Sequence, residues 1–175
     1  MNEPVAPFPF AVLAFSSLFS VVNPISGAPV FVSLTAHLRH AERQRAVVRA
    51  VLTGLATLAV FSAAGGAIFS FFGITVPAFQ ITGGILFALM SLRALEHGHE
   101  EVPETSAPGR DPSIVPVGIP LIAGPGAIST VMVLVGQAGG ASHRLALAGA
   151  LVATLSVTLA ILLAAPAITR RLGET

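Results

Sequence analysis

The chain has no cysteine, no tryptophan and no tyrosine, and each of its 9 basic residues is an arginine. Without cysteine, neither disulfides nor thiolate chemistry is open to it. Charge is scarce as well: 10% of residues are charged against 54% apolar, with a mean hydropathy of +0.86. That balance excludes an ordinary soluble domain and reads as a polytopic membrane protein. The few charges are segregated. Glu3, Glu42, Glu96, Glu100, Glu101, Glu104, Asp111 and Glu174 all fall in tails or connecting segments, and His37, His40, His97, His99 and His143 are read the same way. A net charge of +1 leaves no basic face for nucleic acid once membrane orientation has claimed the arginines. Met1-Asn2-Glu3-Pro4 lacks the basic start of a signal peptide, so the first apolar stretch is expected to stay in the mature protein.

What is present is a series of apolar runs. About 20 apolar residues cross a hydrocarbon core, and five runs qualify: Phe8–Leu34, Val47–Phe72, Ala78–Leu95, Ile114–Val135 and Leu145–Ile168. The expected fold is therefore all-α, a transmembrane helix bundle. A tight turn at Gly73–Pro77 joins the second and third runs, and a charged, proline-rich connector covers 96–112. With the N-terminus outside, Arg39, Arg43, Arg45, Arg49, Arg93, Arg110, Arg170 and Arg171 share the inner side, and only Arg144 lies outside. The positive-inside rule thus predicts a multi-pass protein with a cytoplasmic connector and a cytoplasmic end after the fifth run. In the absence of tryptophan and tyrosine, Phe8, Phe10, Phe71 and Phe72 are expected to anchor the interfaces. Small residues at packing positions, among them Ala50 with Gly54 and Ala146 with Ala150, predict close helix approach.

Two of the runs are interrupted, at Asn23-Pro24-Ile25-Ser26-Gly27 and at Ala123-Gly124-Pro125-Gly126. Proline removes a backbone donor and clashes with the preceding turn, so each run should break into two half-helices. Asn23 is a natural cap with Pro24 as first helical residue, and Gly124 and Pro125 can repeat the arrangement. Superposing the prolines sets Ser26 opposite Ala127 and Gly27 opposite Ile128, a likeness of shape and not of residue type. Helix N-termini present amides that suit a carboxylate. The ends of the preceding half-helices present carbonyls that suit an ammonium group or a sodium ion. Together they can complement a zwitterion without charged side chains.

Broken backbone within a membrane is tolerated where protein buries it or a watery cavity touches it. The expected substrate site is therefore Asn23, Pro24, Ser26, Gly27, Gly124, Pro125, Gly126 and Ala127. Gln80, Gly83, Gly84, Ser129 and Thr130 are candidates to line a pathway. For Asn23 the alternative is a cap that serves only its own break. For Ser129 and Thr130 it is bonding back to their own helix. His97-Gly98-His99-Glu100-Glu101 is a weak metal candidate in a charged loop, so neither a metal nor a cofactor is expected.

The breaks fall in the first and fourth runs, so the repeat unit is three spans, 1–95 and 113–175, and an odd unit inverts in the membrane. The second unit holds two spans. A truncated six-span protein is expected, with a natural five-span variant as the alternative.

Three segments carry a family likeness: Phe15–Phe31, Phe72–Gly84 and Val115–Thr130. Within them, Val21-Val22-Asn23-Pro24-Ile25-Ser26-Gly27, Gly73-Ile74-Thr75-Val76-Pro77 and Ala123-Gly124-Pro125-Gly126 are the most distinctive. In this order they resemble the MarC family (UPF0056) of bacterial inner-membrane proteins. The resemblance implies six spans, a bacterial inner-membrane location and, through the SnatA-type branch, transport of small neutral amino acids such as glycine and alanine. It also places Asn23, Pro24, Gly27, Gly124, Pro125 and Gly126 on the family's two broken-helix motifs.

The expected function is a membrane transporter or exporter working by alternating access. The alternative is a non-transporting scaffold or an envelope-stress or drug-resistance protein. An enzyme is not expected, because no Ser-His pair, paired carboxylates or metal cluster lies in the spans. No span carries Asp, Glu or His, so coupling to H+ or Na+ would need backbone carbonyls, a further helix or the substrate's own charge. Expected partners are a small neutral amino acid, the lipid bilayer, a coupling ion and a second copy of the chain.

Overall fold

A computed structural model of the chain describes residues 6–36, 38–96 and 122–172. Six helices follow in order: α1 (Pro7–Val22), α2 (Pro24–Leu34), α3 (His40–Phe71), α4 (Val76–Glu96), α5 (Pro125–Gln137) and α6 (Ala141–Leu172). No strand occurs among the described residues. Pro7–Leu34, His40–Phe71 and Ala141–Pro166 are long and apolar enough to cross a membrane, while Val76–Leu86 and Pro125–Gln137 are shorter apolar helices. The expected fourth run thus enters the structure as its second half. Its first half, the 97–112 part of the connector and the His97–Glu101 cluster lie outside the described residues.

Local chemistry sets the boundaries. Pro7 opens α1, where the missing N–H costs nothing. At the start of α3, the Glu42 carboxylate accepts the Arg39 backbone N–H at 3.1 Å and pairs with the Arg39 guanidinium at 2.7 Å. Gly73 takes the left-handed conformation (φ +64°) that ends α3, and the Ile74 N–H reaches back to the Phe69 carbonyl at 2.8 Å. Thr75 Oγ1 then accepts the Ala78 N–H at 3.3 Å and starts α4.

Each long helix buries one stripe. In α1 it is Phe10, Ala14, Leu18 and Val22, spaced one helical turn apart. In α6 it runs through Leu147, Leu151, Thr154, Thr158, Leu162 and Ala165. α6 packs most extensively on α1 and then on α2 and α3, whereas α5 sits among α1, α3 and α4. The Phe10 ring at the start of α1 meets His143 in the first turn of α6, edge to face at 5.0 Å. Because α6 continues from there along α1 and onto α2, the broken first span and α6 run in the same direction.

That contact corrects two expectations. Phe10 is 4% exposed and belongs to the core, so only Phe8, Phe71 and Phe72 stand outward as anchors. His143 does not lie in a connecting segment. It is a buried residue of α6, because the helix begins four residues earlier than hydropathy suggests, at Ala141 and not Leu145. Of the small residues, Ala50, Gly54, Gly65, Gly83 and Ala150 are buried and pack helices, while Gly66 and Gly84 face outward.

Candidate functional site

Asn23 is one residue doing the work of two caps. Its backbone is left-handed (φ 44°, ψ 61°), and its N–H donates to the Phe19 carbonyl at 2.9 Å, which closes α1. Its Oδ1 accepts the Ser26 N–H at 3.3 Å, which opens α2. Asparagine suits both duties because it tolerates the left-handed region and carries a side-chain acceptor. Pro24 follows as the first residue of α2 and has no N–H to offer the Ser20 carbonyl. Among the described residues, only the Asn23 N–H and the Gly27 N–H make backbone bonds at this break, to Phe19 and Asn23. The carbonyls of Ser20, Val21 and Val22 therefore end α1 without backbone donors from α2.

At the second break the described residues begin at Ile122, so it is the start of α5 that compares with the start of α2. Gly124, extended at φ −68° and ψ 173°, is the N-cap of α5, and Pro125 is its first residue. The Ile128 N–H donates to the Gly124 carbonyl at 3.0 Å, matching the Gly27 N–H on the Asn23 carbonyl at 3.1 Å. One difference matters chemically: the N-cap of α5, a glycine, has no side chain to cap it. The amides of Gly126 and Ala127 carry no hydrogen bond among the described residues. At the first break the Ser26 and Gly27 amides, both expected to face a ligand, are taken by Asn23. The Ile25 amide is the one without a partner there among the described residues.

The two breaks adjoin. A Cβ on Gly126 would lie 3.0 Å from Val21 Cγ1, so the start of α5 touches the end of α1. This sets the positive end of one helix dipole beside the negative end of another. On its other side, α5 is held by α4: a Cβ on Gly83 would clash with Pro125 and lie 2.7 Å from its Cγ. Gly83 is thus a seat for the second break.

The remaining candidates divide. Ser129 is 1% exposed, and its hydroxyl bonds back to Pro125 O at 2.8 Å and Gly126 O at 3.1 Å. Thr130 bonds back to Gly126 O at 2.8 Å. Both hydroxyls serve their own helix. Gln80 and Gly84 are exposed, and a Cβ on Gly84 would meet nothing within 4 Å. Among the described residues no group of three His, Asp or Glu side chains could hold a metal.

Two polar features carried no sequence signal. Arg43 reaches back from α3 and donates to the Thr35 carbonyl through Nε at 3.2 Å and Nη2 at 2.8 Å, capping α2. Thr154 is 1% exposed in mid-α6, and its Oγ1 is buried without a hydrogen-bond partner among the described residues. Both depend on how the helices dock, so neither position could have been singled out from spacing alone.

Comparison with known proteins follows this geometry. A sequence model described as "MarC family integral membrane protein" matches residues 8–175. The chain belongs to the MarC family. It is 35% identical over 170 residues to a "UPF0056 membrane protein" of Methanocaldococcus jannaschii, covering 94% of this chain and 83% of that one. A Bacillus subtilis relative, "UPF0056 membrane protein YvbG", is 35% identical over 175 residues, covering 96% and 83%. A "UPF0056 membrane protein" of Pyrococcus abyssi is 38% identical over 125 residues, covering 70% of this chain and 62% of its own length. No solved structure matches. The MarC assignment makes the chain an integral membrane protein.

Proposed function

We propose that this MarC protein is a transporter of small neutral amino acids, of the glycine and alanine class, with the substrate held where the two broken helices meet. The observation that carries the reading is the Val21–Gly126 contact. It brings the carbonyl end of α1 and the uncapped amide end of α5 to one place. The Gly126 and Ala127 amides suit the carboxylate, the Ser20–Val22 carbonyls suit the ammonium, and Asn23 Nδ2 adds a donor between them. Selectivity for a small side chain follows from the lining, since Gly126 and Ala127 bring backbone close and leave little volume.

Alternating access would move α5 relative to α1 by loosening this one contact, with the protein in a plasma membrane and its N-terminus outside. The arginine distribution supports that orientation. Coupling to Na+ or H+, or none, is compatible with the site.

The test is a flux panel in proteoliposomes containing the purified protein. Saturable glycine and alanine flux that lysine and glutamate do not share is expected. Flux equal to that of empty liposomes, with no thermal stabilisation by any amino acid, would replace the transporter with a membrane scaffold.

A further inference from the structure

Thr154 is the buried hydroxyl that breaks a pattern. Thr35, Thr57, Thr82, Ser129, Thr130 and Thr158 each donate to a carbonyl one turn back in their own helix, at 2.7–2.9 Å. Thr158 does so onto the Thr154 carbonyl itself. The Thr154 hydroxyl alone is enclosed without a partner among the described residues. A buried polar group with no partner is costly, and its retention calls for an explanation.

Its depth supplies one. The Phe10–His143 contact registers α1 against α6, and the two helices run in the same direction. At about 1.5 Å per residue, Asn23 lies about 20 Å along from Phe10, while Thr154 and Thr158 lie about 16 and about 22 Å along from His143. The break in the first span therefore falls level with the two threonines. Beyond His143 they interrupt a seam that is otherwise leucine and alanine, on a helix that packs on α1, α2 and α3. What α1 offers there is the set of carbonyls from Ser20 to Val22 that received no donors across the break. Among the described residues the Thr154 hydroxyl has no partner at this level, and the carbonyl end of α1 gains no backbone donor from α2.

We propose that Thr154 Oγ1, with the carbonyl end of α1, binds a small monovalent cationic group: the ammonium of the amino-acid substrate or a sodium ion. This rests on the substrate reading above and assigns its positive pole to a specific side chain of α6. Thr158 is a positioning residue, because its bond to the Thr154 carbonyl holds that turn of the helix.

The test uses thermal melting of the purified full chain in detergent, with alanine titrated in sodium chloride and in choline chloride, for wild type, Thr154→Val and Thr154→Ser. Valine keeps the shape and removes the orphan hydroxyl. Without ligand, Thr154→Val should melt at or above the wild-type temperature. Its apparent affinity for the cationic group should fall about tenfold or more, the equivalent of about 1.4 kcal/mol. Thr154→Ser should stay within about threefold of wild type. Loss of the alanine response in choline chloride identifies the ammonium. Loss of a sodium response without alanine identifies sodium.

Wild-type stabilisation that Thr154→Val leaves unchanged overturns the role of Thr154 and spares the transporter reading. So does a Thr154→Val protein that melts lower but binds as wild type. A wild type that responds to neither alanine nor sodium overturns both.

Discussion

Gly83 of α4 and Pro125 of α5 are in such close contact that a methyl group on the glycine would collide with the proline ring, 2.7 Å from its Cγ. A proline ring cannot swing aside as a long side chain would. The position of the second break is therefore tied to α4, and three expectations follow from this contact, from the cap at Asn23 and from the bridge at Arg43.

Gly83→Ala should destabilise the protein by about 1–3 kcal/mol through overpacking, offset in part by the better helix propensity of alanine. Gly84→Ala, one residue on and with open space around it, should be neutral or stabilising by up to about 1 kcal/mol. Melting temperatures of the two variants, read side by side, check the seat. Equal effects would remove it.

Asn23→Ala loses the side-chain acceptor at a cost of about 0.5–2 kcal/mol and leaves at a left-handed position a residue that visits it less readily than asparagine. Asn23→Gly keeps the backbone conformation and should cost only a few tenths of a kcal/mol. The pair separates cap from contact. If Nδ2 touches the substrate, Asn23→Gly melts near wild type yet binds alanine at least several-fold more weakly. If Asn23 is a cap alone, its affinity is unchanged.

Arg43→Ala removes two charge-assisted bonds to the Thr35 carbonyl, and for this half-buried group a loss of about 1–2 kcal/mol is expected. Arg43→Lys should recover part of it, since one ammonium cannot reproduce the two-pronged guanidinium contact. Thermal melting ranks the series, and a wild-type value for Arg43→Ala would dismiss the bridge.

Much of the frame is written in local chemistry. The Asn-Pro and Gly-Pro dipeptides name both breaks to the residue, because proline can only begin a helix there. The Gly27 and Ile128 N–H groups make matching bonds, each to the carbonyl of its own N-cap. Helix starts were less legible: α3 begins at His40 and α6 at Ala141, since hydropathy sees the membrane and not the polar turn that leads into it. Which amides stay open was hidden for a different reason. Asn23 uses both its carbonyl and its Oδ1, and only the folded backbone shows which donors they take. The Gly83–Pro125 seat and the Thr154 hydroxyl depend on how α4 and α6 dock, and no periodicity within either helix carries that.

A chain without cysteine allows the central claim, that the two breaks form one ligand site, to be read with a single engineered pair. With Val21→Cys and Gly126→Cys together, a Cβ at 126 lies 3.0 Å from the present Val21 Cγ1, which brings the two side chains within reach of a disulfide. The rate of intramolecular cross-linking under mild oxidation should be high, and saturating alanine should slow it while lysine does not. Failure to cross-link, or a rate indifferent to alanine, would contradict the account.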